Sequence, residues 1–149
     1  MSNGDFDPLK LENQLCFPLY AAAREIVKKY RPYLEAIDLT YTQYITMMVM
    51  WEHREITVKA LGEKLFLDSG TVSPVIKSLE AKGFVRRRRD PVDERSVTVF
   101  ITEQGEKLRD SASDVPQKMA GCVNLSPEEA MQLYGLLYKI LNAKQPGKP

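Results

Sequence analysis

A mainly α-helical chain with one small β-hairpin, an α+β arrangement, is the fold class this sequence predicts, and three observations carry that reading. Ser69 to Ala81 is amphipathic, with Val72, Val75, Ile76 and Leu79 recurring at steps of three and four. Directly after it, Lys82 and the run Arg86 to Arg89 lead through Asp93-Glu94-Arg95 into an alternating stretch, Ser96 to Ile101. Longer segments of helical spacing lie on both sides. A short helix opened by small hydroxyl residues and followed by a basic hairpin is the pattern of a winged helix-turn-helix. Such a helix fits the major groove of DNA, and such a hairpin reaches phosphates and the minor groove.

Each element has its own signal. Leu11, Leu15, Leu19, Ala22, Ile26 and Tyr30 predict a first helix, interrupted by Pro18 and closed by Arg31-Pro32. Pro18 either kinks that helix near Cys16 or stands in the first turn of a helix beginning near Phe17. Thr40-x-x-Gln43 is a capping box for a second helix through Tyr44, Met47, Met48 and Trp51. Thr57 caps a short third helix, and Asp68 or Ser69 caps the fourth. Gly83 ends the fourth where a left-handed residue is wanted. Strands are expected over Phe84 to Arg89 and Ser96 to Ile101, with an acidic turn between them. A fifth helix is expected from about Glu103 to Ala120, bent at Pro116. Ser126-Pro127-Glu128-Glu129 opens the sixth, with an N-cap, a proline at the first position and a capping-box glutamate. The first eight residues read as loose and Lys144 to Pro149 as disordered. The whole chain, 1–149, is expected to be one unit. About 40–101 forms its reading head, and the segments at about 9–35 and 103–143 are flanking N- and C-terminal dimerisation helices, because their apolar faces exceed what the small central unit can cover.

The totals bound the function. Of 149 residues, 44% are hydrophobic and 28% charged, and the net charge is only +1. Any affinity for a polyanion therefore comes from local clustering. Lys77 to Arg95 holds seven cations and four acids, a local +3 that leaves −2 for the remainder. No N-terminal apolar run is long enough for a signal peptide and none approaches a membrane span, so a cytoplasmic protein with no membrane partner is expected. No His, Cys and carboxylate cluster has metal-ligand spacing, and no cofactor is expected. The lone His53 is expected in an exposed turn.

The candidate DNA contacts follow from the fourth helix and the hairpin. Turned away from its apolar stripe are Thr71, Pro74, Lys77 and Ser78, with Ser69 and Ser73 near its start. Short hydroxyls allow close approach to base edges and phosphates, and Lys77 adds charge. Pro74 removes a helix hydrogen bond unless the first turn begins near Thr71. Arg95, with Asp93 placed to hold its guanidinium, is suited to a narrow minor groove. Arg86 to Arg89 alternate faces, so about half of them, taken as Arg86 and Arg88, address the same backbone. The plainer alternative is a solvated amphipathic helix followed by a charged edge hairpin.

Leu67-Asp68-Ser69-Gly70-Thr71-Val72-Ser73-Pro74 followed by Asp93-Glu94-Arg95-Ser96 resembles the recognition helix and wing of the MarR family of bacterial transcription regulators. Within that family, Leu11 to Phe17 and Leu39-Thr40-Tyr41-x-Gln43-Tyr44 resemble the organic hydroperoxide resistance regulators (OhrR). The resemblance runs from about Leu9 to Leu141. It implies a homodimeric repressor on double-stranded operator DNA. Cys16 would be the thiol that organic hydroperoxides oxidise, Tyr30 and Tyr41 would bond it across the dimer, and Tyr20 would lie nearby. Cys122, four residues ahead of Ser126, resembles the second cysteine of two-cysteine members, which implies an intersubunit disulfide with Cys16. Pro18 departs from the aliphatic or small residue expected at its position.

Alternatives stay open at this level. Cys16 taken alone reads as a small buried hydrophobe, and the tyrosines as packing. A MarR-type repressor released by a phenolic ligand uses the same fold. A thiol peroxidase would need a reductant, and no Cys-x-x-Cys is present, so no enzyme is expected.

Overall fold

The computed structural model describes residues 6–143. A single 3-10 turn at Leu11–Asn13 precedes α1 (Cys16–Glu35), α2 (Tyr41–His53), β1 (Glu55–Thr57), α3 (Val58–Leu65) and α4 (Ser69–Ala81). Then come β2 (Val85–Arg89), β3 (Val97–Ile101), α5 (Glu103–Ala112), α6 (Val115–Met119) and α7 (Pro127–Leu141). The strands form one antiparallel sheet in the order β1-β3-β2, with Arg87 opposite Val99 and Ile56 opposite Val99 on its other side. Mostly helical, with a small sheet, the chain has the fold class read from its sequence.

The core explains the order. Met47 and Met50 of α2, Leu61 of α3, and Val72, Ile76 and Leu79 of α4 are buried together with Val85 and Val99 of the sheet. Burying side chains of this size contributes roughly 1.5–3 kcal/mol each against leaving them in water. The start signals hold. Thr40 and Gln43 form the capping box of α2, Thr57 accepts from the Ala60 N–H, Asp68 accepts from Thr71, and Ser126 and Glu129 form the second capping box. Gly83 sits at φ 83°, the left-handed conformation a glycine adopts without strain.

Of the two readings of Pro18, the helix start holds: it is the third residue of α1, where the N–H it lacks would have had no partner. Other expectations need correction. Leu11 belongs to the separate 3-10 turn, not to α1. Pro32 does not close α1, which continues to Glu35. The proline deprives only the Lys28 carbonyl of a bond, and Leu34 anchors the last turn in the core at 1% exposure. The expected fifth helix is two, α5 and α6, with Pro116 in the first turn of α6. β1 was not anticipated, because three residues are too few to show alternation. His53 is not in an exposed turn. It ends α2, half-buried, with Nε2 unpartnered by any hydrogen bond among the described residues and Glu52 3.7 Å away. The tail from Lys144 and the first five residues lie outside the described residues.

One close approach fixes the sheet against the outer helices. A Cβ at Gly105 would stand 2.2 Å from the Phe84 carbonyl oxygen and 2.9 Å from the Ile101 side chain. The Gly105 carbonyl in turn accepts from the Trp51 indole at 2.9 Å. Gly105→Ala is expected to cost about 3 kcal/mol by forced overpacking. In thermal unfolding followed by circular dichroism this should lower the midpoint by about 8 °C; an unchanged midpoint would show that α5 floats on the sheet.

Two apolar surfaces stay open among the described residues. None of the fifteen residues of α7 is buried, and its Met131, Tyr134, Leu136 and Ile140 are each more than half exposed. Leu15, Phe17 and Leu19 of α1 and its approach are exposed as well. No helix among the described residues is long and apolar enough to cross a membrane.

Candidate nucleic-acid interface

α3 and α4 meet at a tight corner. Phe66 takes a left-handed conformation at φ 54°, and Asp68 then caps α4 by accepting the Thr71 N–H at 2.8 Å and the Thr71 hydroxyl at 3.0 Å. Between these helices and the hairpin lies a groove of about 1060 Å³, lined by Ser69 and Ser73 of α4, Lys59 of α3, and Arg87, Asp93 and Arg95 of the hairpin. Lys77 and Pro74 are exposed on α4. Pro74 lies in the helix interior, since α4 begins at Ser69, so the Gly70 carbonyl loses its helical donor.

The hairpin turn is knitted by its own acids. Asp90 accepts from the Val92 and Asp93 N–H groups at 2.8 and 3.1 Å, and its N–H donates to the Ser96 carbonyl. The backbone N–H groups of Asp93 and Val92 hold its carboxyl below the usual aspartate range, with a lesser contribution from Arg88. Asp93 differs from expectation: its carboxylate takes the Arg95 backbone N–H at 3.1 Å and is in no ion pair with the guanidinium. Arg95 is thereby presented to solvent at the groove mouth.

The strand cations divide by face. Arg86 and Arg88 lie on the side of β2 away from Val85 and the core, and the Arg88 guanidinium sits 4.8 Å from the Phe100 ring centroid. Arg87, on the core side, is clamped by Glu80 of α4. Its Nε and Nη2 donate to Oε1 at 3.1 and 2.9 Å, and its backbone N–H to Oε2 at 2.8 Å. These bonds hold the Glu80 carboxyl below the ordinary glutamate range, the Arg87 side-chain bond foremost. Ser78 also departs from expectation. It does not face outward but accepts the Gln43 side-chain amide at 2.7 Å.

The thiols stand apart. Cys16 is exposed at the first residue of α1, and Tyr20, also exposed, lies under the Arg24 guanidinium. Tyr30 is fourteen residues further along, about 21 Å at the helical rise. There its ring meets Tyr41 at 5.0 Å and Tyr44 at 5.9 Å. Burial pushes all three phenols above the usual tyrosine range, and the neighbouring Cys122 thiol raises Tyr30 further. Cys122 is half-buried beside this cluster, its carbonyl accepting from the Lys29 ammonium at 2.5 Å. The fold therefore brings Tyr30, Tyr41 and Cys122 together and leaves Cys16 and Tyr20 at the far end of the same helix.

The profile of the family described as transcriptional regulator SarA/Rot matches residues 28–111. The chain is 46% identical to the organic hydroperoxide resistance transcriptional regulator of Bacillus subtilis over 91% of this chain and 92% of that one. The chain belongs to the SarA/MarR family of winged-helix transcription regulators. Among solved structures, reduced AbfR bound to DNA superimposes with a TM-score of 0.73 at 30% identity, over 88% of this chain and 91% of that one. Disulfide-formed AbfR gives 0.63 at 30% identity, over 89% and 93%; AbfR is a protein of Staphylococcus epidermidis.

For a member of this DNA-binding family, the sequence reading missed Lys59 and Arg87, which line the groove, and Glu80, which holds Arg87. Lys59 was hidden because α3 is short and its outer face carries no motif. Glu80 and Arg87 were legible in principle: Arg87 shares the parity of Val85, which points it inward, where a lone cation needs an acid.

Proposed function

We propose that this chain is a transcriptional repressor that binds a pseudo-palindromic operator as a two-fold homodimer and releases it when organic hydroperoxides oxidise Cys16. The observation that carries the reading is the placement of the thiols. Cys16 and the cluster of Tyr30, Tyr41 and Cys122 occupy opposite ends of one 20-residue helix. A two-fold partner whose α1 runs antiparallel brings Cys16 of one subunit to the tyrosines and Cys122 of the other. The apolar faces of α7 and the start of α1 supply the surface for such pairing. An isolated helix as short as α7 is marginal in water without tertiary packing.

The chemistry balances. The Cys16 thiolate attacks one peroxide oxygen, an S–O bond forms as the O–O bond breaks, and the peroxide leaves as an alcohol. Cys122 of the partner subunit then attacks the sulfenic sulfur, an S–S bond forms, and the oxygen leaves as water. Each two-fold pair closes two such bonds. That AbfR has a disulfide-formed state supports a thiol response, and the organic hydroperoxide resistance role of the Bacillus subtilis relative supports the oxidant class. A polar oxygen or a covalent tie in an apolar seam alters the spacing of the two reading heads. At the DNA, Ser69, Thr71, Ser73, Pro74 and Lys77 address the major groove, and Arg95, set by Asp93, the minor groove. Arg86 and Arg88 serve only as outlying phosphate contacts, since their face is turned from the groove.

Non-reducing electrophoresis after cumene hydroperoxide tests it. A covalent dimer is expected from wild type and from neither Cys16→Ser nor Cys122→Ser. Dimer formation by either single variant would sink the pairing.

A further inference from the structure

Besides the shared apolar core, a buried polar side chain, Gln43, ties the first turn of α2, beside the tyrosine cluster, to the end of the reading helix. We propose that Gln43 is a positioning residue that passes a shift of the sensor tyrosines to α4; the proposal rests on the redox reading above. Gln43 is 5% exposed. Its Oε1 accepts the Thr40 N–H at 2.9 Å, the side chain's whole share of the capping box. The same oxygen also accepts from the Lys82 ammonium at 3.1 Å, and Nε2 donates to the Ser78 hydroxyl at 2.7 Å. Ser78 and Lys82 stand one turn apart, at the last turn and C-cap of α4.

Lys82 reaches further. It donates to the Asp38 carbonyl and lies 3.4 Å from the Asp38 carboxylate, at the corner between α1 and α2 where Asp38 adopts φ 56°. The end of α4 thus grips that corner at two points. Tyr41 and Tyr44 flank Gln43 on α2, and both rings touch the Tyr30 ring. Buried amide groups have no water to replace a lost partner, so a displaced first turn of α2 either carries α4 with it or leaves polar groups unpaired. The Glu80–Arg87 clamp fixes the hairpin to the same helix, so helix and hairpin move as one body.

The test measures operator affinity by fluorescence anisotropy before and after cumene hydroperoxide, for wild type, Gln43→Leu, Ser78→Ala and Ser78→Thr. Ser78→Ala removes one of the two bonds by which Gln43 holds α4, keeps the Lys82 bond, and leaves the capping box whole. It is expected to bind operator normally when reduced, while the oxidised-to-reduced ratio of dissociation constants shrinks about fivefold, the scale of one hydrogen bond. Gln43→Leu should shrink it at least as much, and Ser78→Thr should restore the wild-type ratio. A wild-type ratio in both Ser78→Ala and Gln43→Leu, alongside normal release of wild type, overturns the relay alone. So does a smaller ratio that arises only from weaker reduced binding and is not rescued by threonine. Wild type that ignores the peroxide overturns the redox reading, and the relay with it.

Discussion

Cys16→Ser protein is expected to bind its operator as tightly as wild type and to stay bound under cumene hydroperoxide that strips wild type from the DNA. Serine preserves the size and the hydrogen-bonding capacity of the site but cannot form a sulfenic acid. Within its own chain the thiol is exposed at the start of α1, so the oxidant needs access to the subunit seam and no opening of the core. Coupling between two sites of one protein usually amounts to about 5–150-fold in affinity, and the variant is expected to lose all of it. Anisotropy titrations with and without peroxide read this directly. Release of the variant at the wild-type peroxide concentration would end the sensor assignment. Release of reduced wild type by a salicylate-like phenol, with no effect of peroxide, would point to a ligand-responsive regulator instead.

Leu136→Glu combined with Ile140→Glu should yield a monomer without specific operator binding. Both side chains are more than half exposed on a helix that buries none of its residues within the chain. Placing two carboxylates on that face would leave uncompensated charge in the seam, which costs several kcal/mol per ion. Losing simultaneous engagement of two half-sites should weaken binding by 100-fold or more, about the scale of avidity. Sedimentation velocity reports the mass and anisotropy the affinity. A dimer of normal mass would relocate the interface.

The parts of the fold that could be read from sequence were those with strong local chemistry. Both capping boxes, the Asp68 and Thr57 caps and the left-handed Gly83 fell where the residues pointed, because capping is decided within four residues. Elements governed by distant packing were harder. Pro32 reads as a helix stop, yet Leu34 in the core outweighs one missing hydrogen bond. Ser78 has the spacing of an outward residue, yet a glutamine 35 positions earlier turns it inward. The site was half legible: the residue types were visible, but their division into two faces of β2, and the gathering of Tyr30, Tyr41 and Cys122, depend on tertiary contacts that periodicity does not encode.

Glu80 has one more effect. β2 is an outer strand of its sheet, and the amide at its middle, that of Arg87, is already taken by the Glu80 carboxylate. An incoming strand would have to displace a charged acceptor to begin zipping onto the hairpin. The residue that steadies the hairpin therefore also shields it from self-templated aggregation when the protein is concentrated.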